Sequence, residues 1–438
     1  MKLSERDFQR QKAKHLAALA KDPMDFAARN DLGLLLWNAG KRKEAFELFL
    51  DAVKRHPTNA TAHANLAFMF LRGGALAEAR TLYEAALRLD PQHGDAKRGL
   101  AAVLTQSGST AAEIQAAGGG SEAISVIPYR GNGAPVRILL LVSLGTGNLH
   151  VEKLLDDRTF EVTKLVVELF DPAQSLPARD LVFNAIGDAD SCGDALLAAQ
   201  RLLSSQSLVL NRPELVLATT RIGTAEILAA IDGALVPRIR RVARAALDAS
   251  CDDFEFPLLL RSPGHHTGHH FVRVERAEDL APSAERLPGD ELYVIRYVDF
   301  ASADGKFRKY RVMFVGGKLY PLHLAVASDW KVHYFSAQMA DYPEHRAEDQ
   351  AFLERMGEVL GADAIATLER IAARLALDYA GIDFALGRRG EVIVFEANAT
   401  MVIVEPSDDE RWAYRKEPVR RVTGAVRKML LSSTPSRA

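Results

Sequence analysis

The apolar positions of this 438-residue chain follow two regimes. From Leu3 to Thr105, small and large residues recur at a fixed period with helical spacing. Asp22-Pro23, His56-Pro57 and Asp90-Pro91 repeat every 34 residues. Between them, Leu32 and Gly33 match Leu66 and Ala67, while Ala45, Phe49 and Ala52 match Ala79, Tyr83 and Ala86. Small residues at such places let two helices cross closely, large ones fill the groove, and proline stops the second helix. The pattern predicts helix pairs over Phe26–Asn59 and Ala60–His93. Leu3–Lys21 reads as the second helix of a partial leading unit, and Gly94–Thr105 as the opening of another. From Val136 onward, short apolar runs alternate with helical stretches, which marks an α/β region. Val136–Ser143, Phe160–Val167, Asp180–Asn184, Phe256–Arg261 and Glu291–Phe300 read as strands, and Asp194–Ser204 as a helix. Phe307–Val326 reads as a hairpin closed by Gly316-Gly317 in a type I′ turn. Glu348–Leu360, Ala364–Leu377 and Arg411–Leu431 read as helices.

The stretch Gly381–Val404 combines this patterning with chemistry. Ile382, Phe384 and Leu386 alternate with Asp383, Ala385 and Gly387, as in a half-buried strand. Arg388–Gly390 is a turn, and Val392–Phe395 begins a second strand that carries Glu396 and Asn398 two apart, on one face. An antiparallel hairpin brings Asp383 level with them. Two carboxylates and an amide oxygen suit Mg²⁺ better than zinc. On a surface otherwise apolar, a bound dication offsets the cost of burying the charges. Pattern alone also admits an edge hairpin with exposed acids.

D-x₁₂-E-x-N across two strands resembles the metal-binding end of the ATP-grasp ligases, closest to the RimK-type and glutathione synthetase branch. The N-terminal pattern of L-G, A-x₃-F-x₂-A and a closing proline resembles the tetratricopeptide repeat. The expected fold is therefore an α+β ATP-grasp unit of the α/β class, preceded by an all-α repeat solenoid. Its divisions are residues 1–105 for the repeats and 106–135 for a linker rich in Gly, Ser and Ala. Residues 136–212 form a preparatory domain, 213–431 the ATP-grasp domain, and 432–438 a disordered tail.

The resemblance implies ATP and two Mg²⁺ ions, the ions held by Asp383, Glu396 and Asn398. It implies phosphate contacts from Arg221 and Arg261, at places where the family carries lysine, and from Arg311 on the Phe307–Val326 hairpin. A flap over the phosphates falls on Ser262–His270, with His266 and His269 as contacts; a transition-metal site among these histidines is the other reading. Tyr297 and Val298 fall where main-chain groups read adenine, and Asp299 where an acid takes the ribose. His323 and Lys331 fall on the substrate side. The family's Ser-Pro-Gly after the Asn, in the loop that shapes the acceptor pocket, is replaced by Ala399-Thr400-Met401, so an acceptor other than glutamate is expected. Gly145-Thr146-Gly147 after the first strand is a further phosphate candidate.

Composition narrows the class. At 48% hydrophobic and 26% charged residues, the chain is ordinary globular material. A net charge of −2 provides no global field for nucleic acid or anionic lipid. Cys192 and Cys251 form no C-x-x-C and no disulfide framework. The first residues lack an apolar signal-peptide core, and no run of about 18 apolar residues occurs. A cytoplasmic location without nucleic-acid or membrane partners is expected. No G-x-S-x-G, H-E-x-x-H or P-loop motif is present. The resemblance implies an ATP-dependent carboxylate–amine ligase working through an acyl-phosphate on small-molecule or peptide substrates. A kinase on the same fold and a non-catalytic nucleotide-sensing scaffold stay open. The repeats bind a peptide or protein partner, or serve assembly such as a homodimer.

Overall fold

The structure is a computed structural model. It describes residues 5–107, 109, 111–117, 123–144, 147–151, 154–203, 208–247, 251, 253–264, 270–334 and 337–434. The chain divides into two compact units, one running from the N-terminus to Ile124 with two short added segments, the other containing the remainder.

The first unit consists of α1 (Glu5–Lys21), α2 (Phe26–Asn38), α3 (Arg42–Arg55), α4 (Ala60–Arg72), α5 (Leu76–Leu89), α6 (Gly94–Gln106) and the short α7 (Ala111–Ala116). The helix pairs fall where the 34-residue pattern predicts them, and the starts use one device three times. Asp25 accepts a hydrogen bond from the Ala28 N–H at 2.9 Å, Asn59 from Ala62 at 3.1 Å, and His93 Nδ1 from Ala96 at 3.2 Å. Each satisfies one of the free N–H groups of a first turn. The small positions are small for a steric reason. A Cβ on Gly33 would stand 2.6 Å from the Phe49 ring, and one on Gly99 2.0 Å from the Tyr83 ring. Both rings are buried at 2% exposure, so neither can swing aside freely. Gly99→Val is therefore expected to lower the stability of the repeats by about 1–3 kcal/mol. A urea midpoint equal to that of the unaltered chain would show that the contact is not tight.

The expected linker at 106–135 holds structure. Ile114 of α7 is 2% exposed and joins the core formed by Leu100, Val103 and Leu104. Over 106–123 Ile114 is the one large apolar residue among Ala, Ser and Gly, which leaves no period to read and is why composition there suggests a linker.

In the second unit a five-stranded sheet has the order β1-β3-β2-β4-β5. Its strands are β1 (Ile124–Ile127), β2 (Val136–Val142), β3 (Phe160–Val166), β4 (Leu181–Asn184) and β5 (Val209–Leu210). β2 pairs with β4 and β4 with β5 in parallel, and α8 (Gly193–Leu202) joins the last two strands. α9 (Pro213–Leu217), α10 (Arg221–Leu228) and β6 (Ala234–Leu235) follow. A second, antiparallel sheet runs β7 (Ile239–Ala243), β10 (Glu291–Arg296), β8 (Leu258–Arg261), β9 (Phe271–Val274), with α11 (Leu280–Glu285) on its core of Leu258, Leu260, Val274 and Leu292.

The third sheet has the order β12-β11-β13-β14-β6, from β11 (Phe307–Val315), β12 (Lys318–Ala327), β13 (Tyr379–Leu386), β14 (Val392–Asn398) and β6. All its pairs are antiparallel except β14 with β6. The β11–β12 turn has Gly316 at φ 54° and Gly317 at φ 72°, the type I′ geometry expected for Gly-Gly. α12 (Pro343–Glu354), α13 (Met356–Leu360), α14 (Ala362–Leu375) and α15 (Lys416–Ser432) complete the unit. The single helix expected over Glu348–Leu360 starts earlier, with Pro343 preset for a first turn, and breaks where Arg355 leaves helical geometry at φ −134°. The expected Arg411–Leu431 helix opens with a 3₁₀ segment, Glu410–Arg415.

One buried asparagine couples the first sheet to the third. Asn211 takes φ 52°, which Asn tolerates better than most residues. Its Nδ2 donates to the Tyr379 carbonyl, its Oδ1 accepts the Tyr379 N–H, and its own N–H donates to Asp378 Oδ2, each at 2.8 Å. Asn211 is therefore a clamp on the start of β13. Among the described residues no helix is long and apolar enough to cross a membrane.

Candidate functional site

β13 and β14 carry the candidate metal residues, and the register sets their geometry. Asp383 pairs with Glu396, and Gly381 with Asn398. The register shifts between Asp383 and Phe384, whose partner is Val394, so Phe395 is the extra residue of a bulge. Its ring lies 4.9 Å from that of Phe300. On the other side of β13, Asp383 stands opposite Arg311 on β11, and Arg311 opposite His323 on β12. Directly paired residues share a sheet face, so His323, Arg311, Asp383 and Glu396 form one row across four strands.

The row is densely charged. Asp383 is 3% exposed. Arg311 grips it with two bonds, Nε to Oδ1 at 2.6 Å and Nη2 to Oδ2 at 2.9 Å, and Lys309 Nζ adds a third to Oδ2 at 3.0 Å. Burial works against the ionised form, yet Arg311 and Lys309 outweigh it and hold the carboxyl well below the usual carboxylate range. Burial likewise pushes Glu396 up, and Arg221 with Arg261 overcomes it, leaving the carboxyl below its ordinary value. Glu396 Oε1 accepts from Arg221 Nη2 at 3.2 Å and from Asn398 Nδ2 at 2.9 Å. Asn398 Oδ1 accepts from the Thr400 N–H at 3.0 Å and the Thr400 hydroxyl at 2.7 Å.

Arg221, first residue of α10, is at the row and not on a solvated helix face. Its N–H donates to Asp190 Oδ2 at 2.9 Å. The Tyr293 hydroxyl donates to Asp190 Oδ1 at 3.2 Å. Arg261 ends β8, is 9% exposed and lies over the Phe271 ring at 5.4 Å. Burial and the neighbouring Arg221 lower its pKa to about 10, so it stays charged at neutral pH. Arg221, Arg261, Arg311, Asp383, Glu396 and Asn398 are thus brought together.

Of the other predicted residues, His323 belongs to the row itself and the rest have other partners. Tyr297 sits beneath the Arg273 guanidinium at 4.3 Å and edge-on to Trp330 at 6.2 Å; Trp330 in turn meets Phe271 at 5.3 Å. Val298 is half-buried. Asp299 is exposed, accepts the Ala301 N–H at 3.1 Å and pairs with Arg388 in the β13–β14 turn, apart from the charged row. Lys331 Nζ donates to the Phe271 carbonyl at 2.9 Å. His323 is buried beside Arg311, and burial with that cation holds its pKa well below the usual histidine value, so it is neutral. Its ring lies 4.4 Å from that of Tyr334. His266, His269 and Gly145-Thr146 lie outside the described residues.

Two participants are absent from the sequence reading, Lys309 and Asp190, and Thr400 figures there only as part of the loop after Asn398. Lys309 and Arg311, two apart on one strand, share a face, and that spacing is a signal the sequence does contain. The partners of the Asp190 carboxylate, Arg221 and Tyr293, are distant in sequence.

The loop after Asn398 is also fixed. The Tyr379 hydroxyl donates to the Met401 carbonyl at 2.6 Å, and a Cβ on Gly187 would stand 2.8 Å from the Ala399 carbonyl carbon. Ala399-Thr400-Met401 is therefore wedged between the start of β13 and the loop after β4.

Among the described residues no group of three or more His, Cys, Asp or Glu gathers as a metal site. Asp383, Glu396 and Asn398 supply two carboxylates and one amide, a hard oxygen set that fits Mg²⁺.

Comparisons with known proteins divide along the chain. Residues 13–60, 30–93 and 69–118 match the family model described as a tetratricopeptide repeat, so the N-terminal helices are such repeats. No curated protein matches the chain. Among solved structures, it is similar to a RimK-domain ATP-grasp protein from Sphaerobacter thermophilus, at 19% identity and TM-score 0.43, covering 67% of this chain and 99% of that one. It is also similar to the VanG D-Ala:D-Ser ligase of Enterococcus faecalis, at 11% identity and TM-score 0.44, covering 68% and 99%. A third is the D-alanyl-alanine synthetase A of Vibrio cholerae, at 14% identity and TM-score 0.42, covering 68% and 100%.

Proposed function

We propose that the second unit is an ATP-dependent carboxylate–amine ligase. The observation that carries this reading is the charged row: Asp383 and Glu396 face each other across β13 and β14, with Asn398 beside them and Arg221, Arg261 and Arg311 converging on them. Joining a carboxylate to an amine through ATP asks little of a nucleophilic side chain. It asks for neutralised phosphate charge and for an in-line approach.

In this reading Asp383, Glu396 and the Asn398 amide oxygen would hold Mg²⁺, which would supply neutralisation of the phosphate charge. Arg261 and Arg311 stabilise charge on the transferring phosphoryl group. Arg221 keeps Glu396 ionised and aimed. The substrate carboxylate attacks the γ-phosphorus, the bond to ADP breaks, and an acyl-phosphate results. The amine nitrogen then attacks the acyl carbon, phosphate leaves, and the amine gives up a proton. Tyr297 and Val298 flank adenine, and Asp299 the ribose. Neutral His323 and Lys331 face the substrates. The wedged Ala399-Thr400-Met401 loop shapes the acceptor pocket. The tetratricopeptide repeats recruit a peptide or protein substrate, or assemble copies of the chain.

The test uses the purified chain with Mg-ATP and pools of amino acids, small carboxylic acids and peptides, following ADP and phosphate together and weighing the products. ADP equal to phosphate, with a product lighter than its two substrates by one water, establishes the ligase. ADP without free phosphate, with a product heavier by a phosphoryl group, replaces it with a kinase. No ADP from any pool leaves a non-catalytic nucleotide-sensing protein, a reading favoured by arginine at both expected lysine positions, 221 and 261.

A further inference from the structure

Lys309 has no role in the reading above, yet it touches the most buried carboxylate of the site. Arg311 and Lys309 together fill three of the roughly four lone-pair positions of Asp383. A metal ion on Asp383 therefore competes with protein donors. The two donors differ in how firmly they are held. Arg311 is bidentate and in register with Asp383, directly opposite it on the neighbouring strand. Lys309 makes one bond from a flexible four-carbon stem whose ammonium can swing. Of the two, Lys309 is the one that can leave.

The charge count of the cluster gives it somewhere to go. Arg221, Arg261, Lys309 and Arg311 meet Asp190, Asp383 and Glu396, which leaves the cations in excess. Such a cluster favours a polyphosphate over a bare dication. The arginines are committed: Arg221 to Glu396 and Asp190, Arg261 over Phe271, Arg311 to Asp383. Lys309, joined to Asp383 by one bond, has the most flexible side chain among them.

We propose that Lys309 is an exchangeable counter-ion of Asp383 that transfers to a nucleotide phosphate, so that Asp383 accepts a metal ion only when nucleotide is present. The proposal rests on the nucleotide-site reading above. It makes metal binding conditional, and it gives the site the phosphate-binding lysine that positions 221 and 261 lack.

The test is equilibrium dialysis of protein-bound Mn²⁺ on the full chain, with and without ADP, alongside titration of ADP in EDTA. The unaltered chain is expected to bind Mn²⁺ alone poorly. Lys309→Gln is expected to bind Mn²⁺ alone roughly tenfold more tightly, and ADP in EDTA roughly tenfold more weakly, the scale of one buried charge contact. Lys309→Arg keeps the charge and is expected to stay as poor a binder of Mn²⁺ alone as the unaltered chain. Equal Mn²⁺ affinities for the unaltered chain and Lys309→Gln without ADP overturn the proposal, while intact ADP binding leaves the ligase reading standing. If none of the three proteins binds ADP, with or without Mn²⁺, the nucleotide-site reading falls and the proposal with it.

Discussion

Glu396→Ala is expected to abolish ADP formation, by on the order of 10³-fold or more, while the chain stays folded. Glu396 is only half-buried, with its side chain 30% exposed, so its removal opens no cavity in the core. The partner it leaves, Arg221, keeps the Asp190 contact through its main chain and is 15% exposed, close enough to solvent to be rehydrated. A urea midpoint and a circular-dichroism spectrum like those of the unaltered chain, with no ADP formed, are the expected pair of results. Undiminished ADP formation would remove Glu396 from the site and take the metal assignment with it.

Arg311→Leu carries the largest expected cost in stability. It leaves Asp383 at 3% exposure with Lys309 as its remaining ion-pair partner among the described residues. Breaking a buried pair on one side costs about 3–5 kcal/mol, because the remaining charge stays desolvated. Arg311→Leu with Asp383→Leu together is expected to recover much of that loss, since two apolar side chains replace the pair. A double-mutant cycle in urea measures the coupling. A loss below about 1 kcal/mol for Arg311→Leu alone would show that water reaches Asp383 despite its burial.

Several features of the chain were legible before any coordinates, and each was legible for a local reason. The repeats show in the sequence because Gly33, Phe49, Ala67 and Tyr83 act through contacts within one helix pair or between adjacent helices, so the constraint recurs every 34 residues. The β11–β12 turn is legible because Gly316-Gly317 must take positive φ whatever surrounds it. The hairpin that carries Asp383, Glu396 and Asn398 is legible because one tight turn separates its two strands. α7 and the break at Arg355 were not, since a six-residue helix holds less than two periods and a helix break depends on what the next turn packs against.

Sequence by itself determined the repeat array, the main apolar strands of the second unit and the hairpin that carries the two carboxylates. All three depend on interactions between residues close along the chain. Only the tertiary structure decided that β11 lies against β13, that Arg221 and Asp190 reach the row, and that Lys309 meets Asp383 74 residues away. Strand order is chosen by the summed packing of whole sheets, and a shift of one residue would turn Lys309 and Arg311 to the opposite face. The charge balance of the site is therefore a property of register, which no local pattern records.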